Sequence, residues 1–166
     1  LDALAASAQD IINLYAEELP EGSISPVLVR HVPGFELFAT GGSSKVWAMC
    51  EFQGEMYFVT GFSTLVLYKA TSAGVVTSIG TLTGGGSPVS MAASASQLVV
   101  VASPYAWVVS GGTATKITDA DFPSVQNVTY LGGYFVYTKT SSDQYVVSDL
   151  NDASSYSALM IASAEG

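Results

Sequence analysis

Three stretches of this chain follow one pattern: a tight turn, then a short run of β-branched and aromatic residues. They are EFQGEMYFVTG from Glu51, ASASQLVVVAS from Ala93 and VTYLGGYFVYT from Val128. The equivalent positions Met56, Leu98 and Tyr134 are 42 and 36 residues apart. Around each lie three further strand-like pieces: a lead-in strand before the turn, a hairpin return (STLVLYKA, AWVVSG, QYVVSDL) and a polar closing strand. A repeat near forty residues with four strands per unit is the pattern of β-propeller blades. The second strand of such a blade is buried against both neighbouring blades, which accounts for an unbroken apolar run such as QLVVVAS where a half-exposed strand would alternate. The expected fold class is therefore all-β, with antiparallel four-stranded blades of β-propeller type at about 46–83, 88–122 and 125–162. Three β-meanders in a sandwich or barrel fit the strand pattern as well; the repeat favours the propeller. Closed propellers have about 4 to 8 blades, so three blades are expected to be the front portion of a larger propeller, or to complete one with other copies. The chain end at IASAEG, with no terminal strand or cap, points the same way.

Residues 1–45 read as an N-terminal arm and first strands. LDALAASAQDI carries a short helix signal, IINLYAEE reads as extended, and PEGSISP is a loop with Pro20, Gly22 and Pro26. VLVRHVPGFELFAT then reads as a short strand, a Pro33–Gly34 turn and another short strand. The amino terminus has no positive n-region and does not read as a signal peptide. It also lacks an initiator Met, which suggests a processed or partial chain.

Apolar residues make up 49% of the chain and charged residues 11%, the reverse of a disordered composition. No apolar run approaches the roughly 18 residues of a membrane-spanning helix. With 14 acidic residues against 5 basic ones, the net charge is −9. A chain this acidic lacks the lysines and arginines that grip phosphates, so neither DNA backbone nor an anionic membrane is an expected ligand. An acidic surface can still face DNA without holding it.

Candidate chemistry is sparse. Cys50, the only cysteine, excludes an intrachain disulfide and reads as a small hydrophobe in VWAMCEF. His31 is the only histidine and has no GxSxG serine to serve, so no catalytic residues are expected. TGGGSP at 83–88 lacks the Lys-Ser/Thr ending and following helix of a phosphate loop and reads as an inter-blade linker. Asp119 and Asp121, and Asp149 and Asp152, are paired carboxylates of the kind that bind Ca²⁺ or serve a glycosidase. They lack further ligands, and aspartates also cap turns, so neither a metal nor a cofactor is expected. Asn127-Val128-Thr129 matches a glycosylation sequon inside a strand and reads as chance. Tyr105 and Trp107 flank a turn and are candidates to stack on a sugar, fill a partner's pocket, or pack between blades.

An ordered set of phrases carries a resemblance. IINLYAEE, with Asn13, Leu14, Tyr15 and Glu17, is followed by VPGFELFAT, GSPVSMAASASQLVVV, LGGYFVYT and SDLNDASSYSALMIASAEG. Together they resemble the packaged-DNA stabilisation proteins of tailed bacteriophages, the tail accessory or neck hub proteins of short-tailed phages. The resemblance implies a structural virion protein and not an enzyme, with no cofactor. It implies a homo-oligomeric, typically hexameric, ring below portal and adaptor proteins, assembled in the host cytoplasm, that supports a tail needle or tailspikes. Packaged DNA would pass through the ring's channel without specific binding, and the NLYAEE arm would close a propeller edge or pair with a neighbour. The alternative is a carbohydrate-binding or carbohydrate-cleaving propeller domain of a phage tail receptor-binding protein. It requires Asp119, Asp121, Asp149 and Asp152 to converge on one pocket with Tyr105 or Trp107.

Overall fold

The computed structural model describes residues 14–31, 34, 36–42 and 45–164. The helix signal at 1–11, Asn13 and Pro33 lie outside the described residues. Every described regular element is a strand, and the chain divides between Leu37 and Phe38 into two compact units. In the first unit, β1 (Leu14–Glu18) pairs antiparallel with β2 (Val27–His31), matching Tyr15 with Arg30 and Glu17 with Leu28. The extended reading of LYAEE is thus the observed one.

The second unit is three four-stranded antiparallel sheets, each with its strands in chain order. The first sheet is β3 (Val46–Phe52), β4 (Glu55–Gly61), β5 (Leu65–Ala70) and β6 (Val76–Thr81). The middle sheet is β7 (Val89–Ala93), β8 (Leu98–Ala102), β9 (Tyr105–Ser110) and β10 (Thr113–Lys116). The third is β11 (Val125–Leu131), β12 (Tyr134–Lys139), β13 (Gln144–Asp149) and β14 (Asp152–Ser163). Two-residue hairpins of type I′ need positive φ at both central residues, and three turns meet that demand: Gln53-Gly54 (54° and 78°), Gly111-Gly112 (58° and 79°) and Gly132-Gly133 (60° and 93°). The Gly-Gly of the third repeat is therefore a hairpin turn. The linker reading of TGGGSP holds too, since it joins β6 to β7.

The sheets stack face to face, and the middle one is covered on both sides. Leu98, Val100 and Ala102 join Tyr57, Val59, Leu67 and Trp107 in one core cluster. Val99 and Val101 join Val128, Phe135, Tyr137 and Val146 in the other. All five residues of β8 are fully buried because alternate side chains feed different cores. In β12 only Phe135 and Tyr137 are buried, and the residues between them are not, so one face of the third sheet is left partly open. The uninterrupted run and the alternating run are the same strand of the repeat with two neighbours and with one.

FELFAT departs from expectation. Glu36–Thr40 forms no strand; from Phe38 the chain runs irregularly along the first sheet's outward face, and Gly41 and Gly42 lie against Phe58 and Thr60. Close backbone approach to a packed face replaces the ladder hydrogen bonds a strand would have made.

Because Leu98 is enclosed by two sheets, Leu98→Ala should destabilise the chain by about 2–5 kcal/mol. Val75→Ala, at a position 60% exposed, should change it by less than about 0.5 kcal/mol. Urea unfolding midpoints of the two variants check the contrast.

Candidate functional site

The aromatic pair first. Tyr105 opens β9 and is 39% exposed, whereas Trp107 is 3% exposed and sits in the core between the first and middle sheets. Their rings meet edge to face at 6.4 Å. Gly85 of the TGGGSP linker lies against the indole so closely that a Cβ there would stand 2.9 Å from its Cη2. Lys116, paired with Trp107 across β9–β10, places its ammonium 3.2 Å from the centre of the Tyr105 ring. A buried indole cannot stack on a sugar, and one face of the tyrosine is already occupied by a cation. Of the three readings of this pair, Trp107 takes the one of packing between sheets.

The carboxylates work as turn caps. Asp119 Oδ1 accepts the Asp121 N–H at 2.8 Å. Asp152 Oδ1 accepts the Ser154 N–H at 2.9 Å and its hydroxyl at 2.6 Å, and Asp149 Oδ2 accepts the Ser155 hydroxyl at 2.6 Å. These Ser154 bonds, helped by Gln97, hold the Asp152 carboxyl below its usual range against the opposing effect of burial. The two pairs do not converge. Asp119 and Asp121 precede β11, whose Val125 N–H donates to Pro104 O at 3.0 Å at one end of the stack. Asp149 and Asp152 flank the β13–β14 turn at the other end. Among the described residues no group of three histidine, cysteine or acidic side chains could hold a metal. The pocket required by the carbohydrate alternative is therefore not assembled from these residues.

The remaining candidates occupy ordinary positions. Burial, then the Glu51 carboxylate, pushes the Cys50 thiol up, away from thiolate chemistry. His31 ends β2 and is exposed. Of the NLYAEE residues, Tyr15 is 46% exposed and Glu17 forms an ion pair with Arg30 on the partner strand.

The profile of the phage-stabilisation family, described as bacteriophage P22 Gp10, β-propeller, matches residues 8–166. The chain belongs to this family. The family comprises structural phage proteins concerned with stabilising packaged DNA, and this chain's sheets are the blades of a β-propeller-type fold. No curated protein matches the sequence. Among solved structures, a chain titled "Crystal structure of Nidogen/Laminin Complex" is similar with 17% identity and a TM-score of 0.46; the match covers 60% of this chain and 40% of that one.

In blade terms the charges are sorted by end, a feature that reading the motifs one by one did not find. Antiparallel strand order puts the β3–β4, β5–β6 and β13–β14 turns at one end and the β8–β9 and β12–β13 turns at the other. The first end carries Glu51, Glu55, Asp149 and Asp152 against Lys69 alone, and Lys69 is tied to Glu55 at 2.8 Å. The second carries Asp119, Asp121 and Asp143 with Lys45, Lys116 and Lys139. All the described charge excess of the blades is thus at the first end. The same end holds side-chain links between successive blades: Gln53 Nε2 to Ala95 O at 3.4 Å, and the Ala153 N–H to Gln97 Oε1 at 2.9 Å.

Inside the third blade, the Tyr156 hydroxyl lies 2.7 Å from that of Tyr137 and 2.6 Å from Ala153 O. The carbonyl can only accept, so Tyr156 donates to it and accepts from Tyr137. Burial pushes both phenols far above their usual range. An unfolded tyrosine ionises near pH ~10, so stability is whole below that pH and falls as pH rises towards the folded values. Alkaline unfolding followed by tyrosine absorbance should show neither phenol titrating before the fold is lost. Tyr156→Phe, which strands two buried groups, should cost more than Tyr137→Phe, by about 1–3 kcal/mol.

Proposed function

We propose that this chain forms part of a ring in a tailed-phage neck, below the portal and its adaptor, that keeps packaged DNA in place and carries a tail needle or tailspikes. The observation that carries this reading is the family membership of nearly the whole chain, residues 8–166, on blades whose described residues assemble no catalytic group. The protein works by shape: the blades supply a rigid body, and contacts between copies and with the adaptor hold it. The ring is a hexamer, assembled in the host cytoplasm and retained in the virion. The blades at 46–83, 88–122 and 125–162 belong to a larger propeller, closed by further blades or by other copies. The half-open face of β12 supports this, since a blade with two neighbours buries its second strand on both sides, as β8 does.

In this reading the acidic end of the blades, where Glu51, Glu55, Asp149 and Asp152 outnumber Lys69 alone, has a role. Turned towards the DNA path, Glu51, Glu55, Asp149 and Asp152 repel phosphates, so the genome is confined without adhering and leaves freely on infection. The opposite end, with its lysines over Tyr105 and Trp47, is left for protein contacts.

Native mass by light scattering, with negative-stain imaging, tests the ring with and without purified portal–adaptor rings. Co-migration as a stoichiometric ring on the adaptor is expected; a stable monomer that ignores those rings would overturn the reading. For the charge, Glu51→Lys with Asp149→Lys, both at exposed positions, should leave assembly intact and slow DNA release from particles by about tenfold. Unchanged release kinetics would remove the acidic end from the mechanism.

A further inference from the structure

The hairpin of β1 and β2 buries almost nothing of its own. Every residue from Tyr15 to His31 except Leu19 is exposed. Successive side chains of a strand point to opposite faces. One face of the hairpin therefore carries Tyr15, Glu17, Leu28 and Arg30, and the other carries Ala16, Glu18, Val27 and Val29. Tyr15, Val27, Leu28 and Val29 are 46%, 42%, 41% and 52% exposed, so apolar groups stand in water on both faces. A two-stranded hairpin is marginal in water, and independent stability takes a third strand or a packed face. The ladder is nonetheless regular, with five consecutive pairs from Leu14–His31 to Glu18–Val27.

Among the described residues each of these strands has one neighbour, so the hairpin offers two open edges. Most edge strands of the blades are guarded: register shifts interrupt the ladders of β3, β6, β11 and β14, and such bulges blunt an edge against pairing. β1 and β2 contain neither a bulge nor a proline. What distinguishes their edges is charge. β1 brings Glu17 and Glu18; β2 brings Arg30, which pairs with Glu17 diagonally across the hairpin. Two β1 edges would bring four glutamates together, and like charges on facing strands are destabilising. A β1 edge against a β2 edge joins opposite charges. Sliding a second copy by two residues from the hairpin's own register keeps every side chain on its face. That offset sets Glu17 opposite Arg30 of the second copy, Ala16 opposite His31 and Glu18 opposite Val29. Glu17 then lies between two guanidinium groups, and charge alternates in sign along the row.

We propose that this hairpin is a self-association arm: the β1 edge of one copy pairs antiparallel with the β2 edge of a second copy, at the offset that sets Glu17 opposite Arg30. The contact is heterologous, so each addition leaves one edge of each kind free, and growth continues until the rotation closes. A repeated two-residue offset supplies the stagger that closing a sheet into a barrel requires, and closure leaves no edge. Ala16, Val27 and Val29 of successive copies then share one apolar face. The inference goes beyond the neck-ring reading and does not rest on it, because arm pairing needs neither portal nor adaptor.

Sedimentation velocity on the full chain tests it. The unsubstituted chain should gain mass with concentration. Glu17→Lys and Arg30→Glu, each alone, set like charges together in the proposed ladder and should weaken association by about tenfold or more. An equimolar mixture of the two variants should regain the unsubstituted mass, because every contact between unlike variants again joins opposite charges. Mixing restores no pair within a chain, so a merely structural role for the Glu17–Arg30 bond gives no rescue. The register is read by Ala16→Cys and His31→Cys on separate chains, each with Cys50→Ser. Mild oxidation should cross-link the mixture and neither variant alone. The proposal is overturned if the unsubstituted chain keeps a single-chain mass, if the charge variants associate unimpaired or their mixture gains nothing, or if either cysteine variant cross-links with itself as readily as with the other. Normal rings of Glu17→Lys chains on the adaptor would remove the arm pairing and leave the neck reading standing. Arm-paired copies that ignore portal–adaptor rings would do the reverse.

Discussion

Everything in the blade unit depends on one five-residue strand being apolar on both faces. Leu98–Ala102 has no exposed residue, and its side chains divide between two cores, as those of the adjacent β9 also do. A β-strand sends successive side chains to opposite faces, so a run such as LVVVA has no polar face to offer solvent. It is stable only with a sheet on each side, and that requirement sets the stack. The neighbouring sheets supply what it needs: Val59 and Leu67 from one, Phe135 and Val146 from the other. The cis Ser103-Pro104 turn returns the chain directly into Trp107, which fills the space beside Leu82 and the glycine linker.

Charge placement follows from the same constraint. Strand interiors facing other sheets cannot hold unpaired ions, so carboxylates and lysines gather where strands end. The blades then have two charged ends and an uncharged middle. Which end becomes acidic is decided by which turns carry them. Glu51 accepts the Gly54 N–H at 2.7 Å to cap its hairpin, while Asp149 and Asp152 cap the β13–β14 turn through Ser155 and Ser154. The local work of these side chains is turn formation; the field they create together is a property of the topology. A side chain can therefore be fully explained by its turn and still contribute to the field of the surface.

The repeat made most of the architecture legible. Met56, Leu98 and Tyr134 do occupy equivalent second strands, and the turns before them could be read from Gln-Gly and Gly-Gly because few residues tolerate positive φ. Trp107 could also have been placed, since it stands two residues from Val109 on the same buried face. FELFAT was less legible. Its Phe35-Glu36-Leu37 alternation looks like a strand, and only the following Gly41-Gly42 hints that the backbone lies against a packed face. The acidic pairs could be read as turn caps from sequence, but spacing along the chain does not reveal which end of a stack each turn occupies. Charge sorting emerges only once strand direction assigns each turn to an end.

An open stack of similar units faces a problem that a closed one does not. Each blade face is selected to pack on another blade, so an exposed terminal face is also an attachment site for any copy of the same chain. Repeat proteins meet this with terminal units whose outer face differs from the rest. Here the outward faces of the first and third sheets differ. The first blade retains an aromatic outward face, with Phe58 stacked on Tyr68, and relies on a covering segment. The third blade instead dilutes its face with Thr129 and Thr138 and keeps its valines half-covered. A fully apolar face would need a permanent neighbour, and a fully polar one could never accept a neighbour. The third blade's face is mixed, with half-buried valines between threonines, whereas the first blade's face is aromatic.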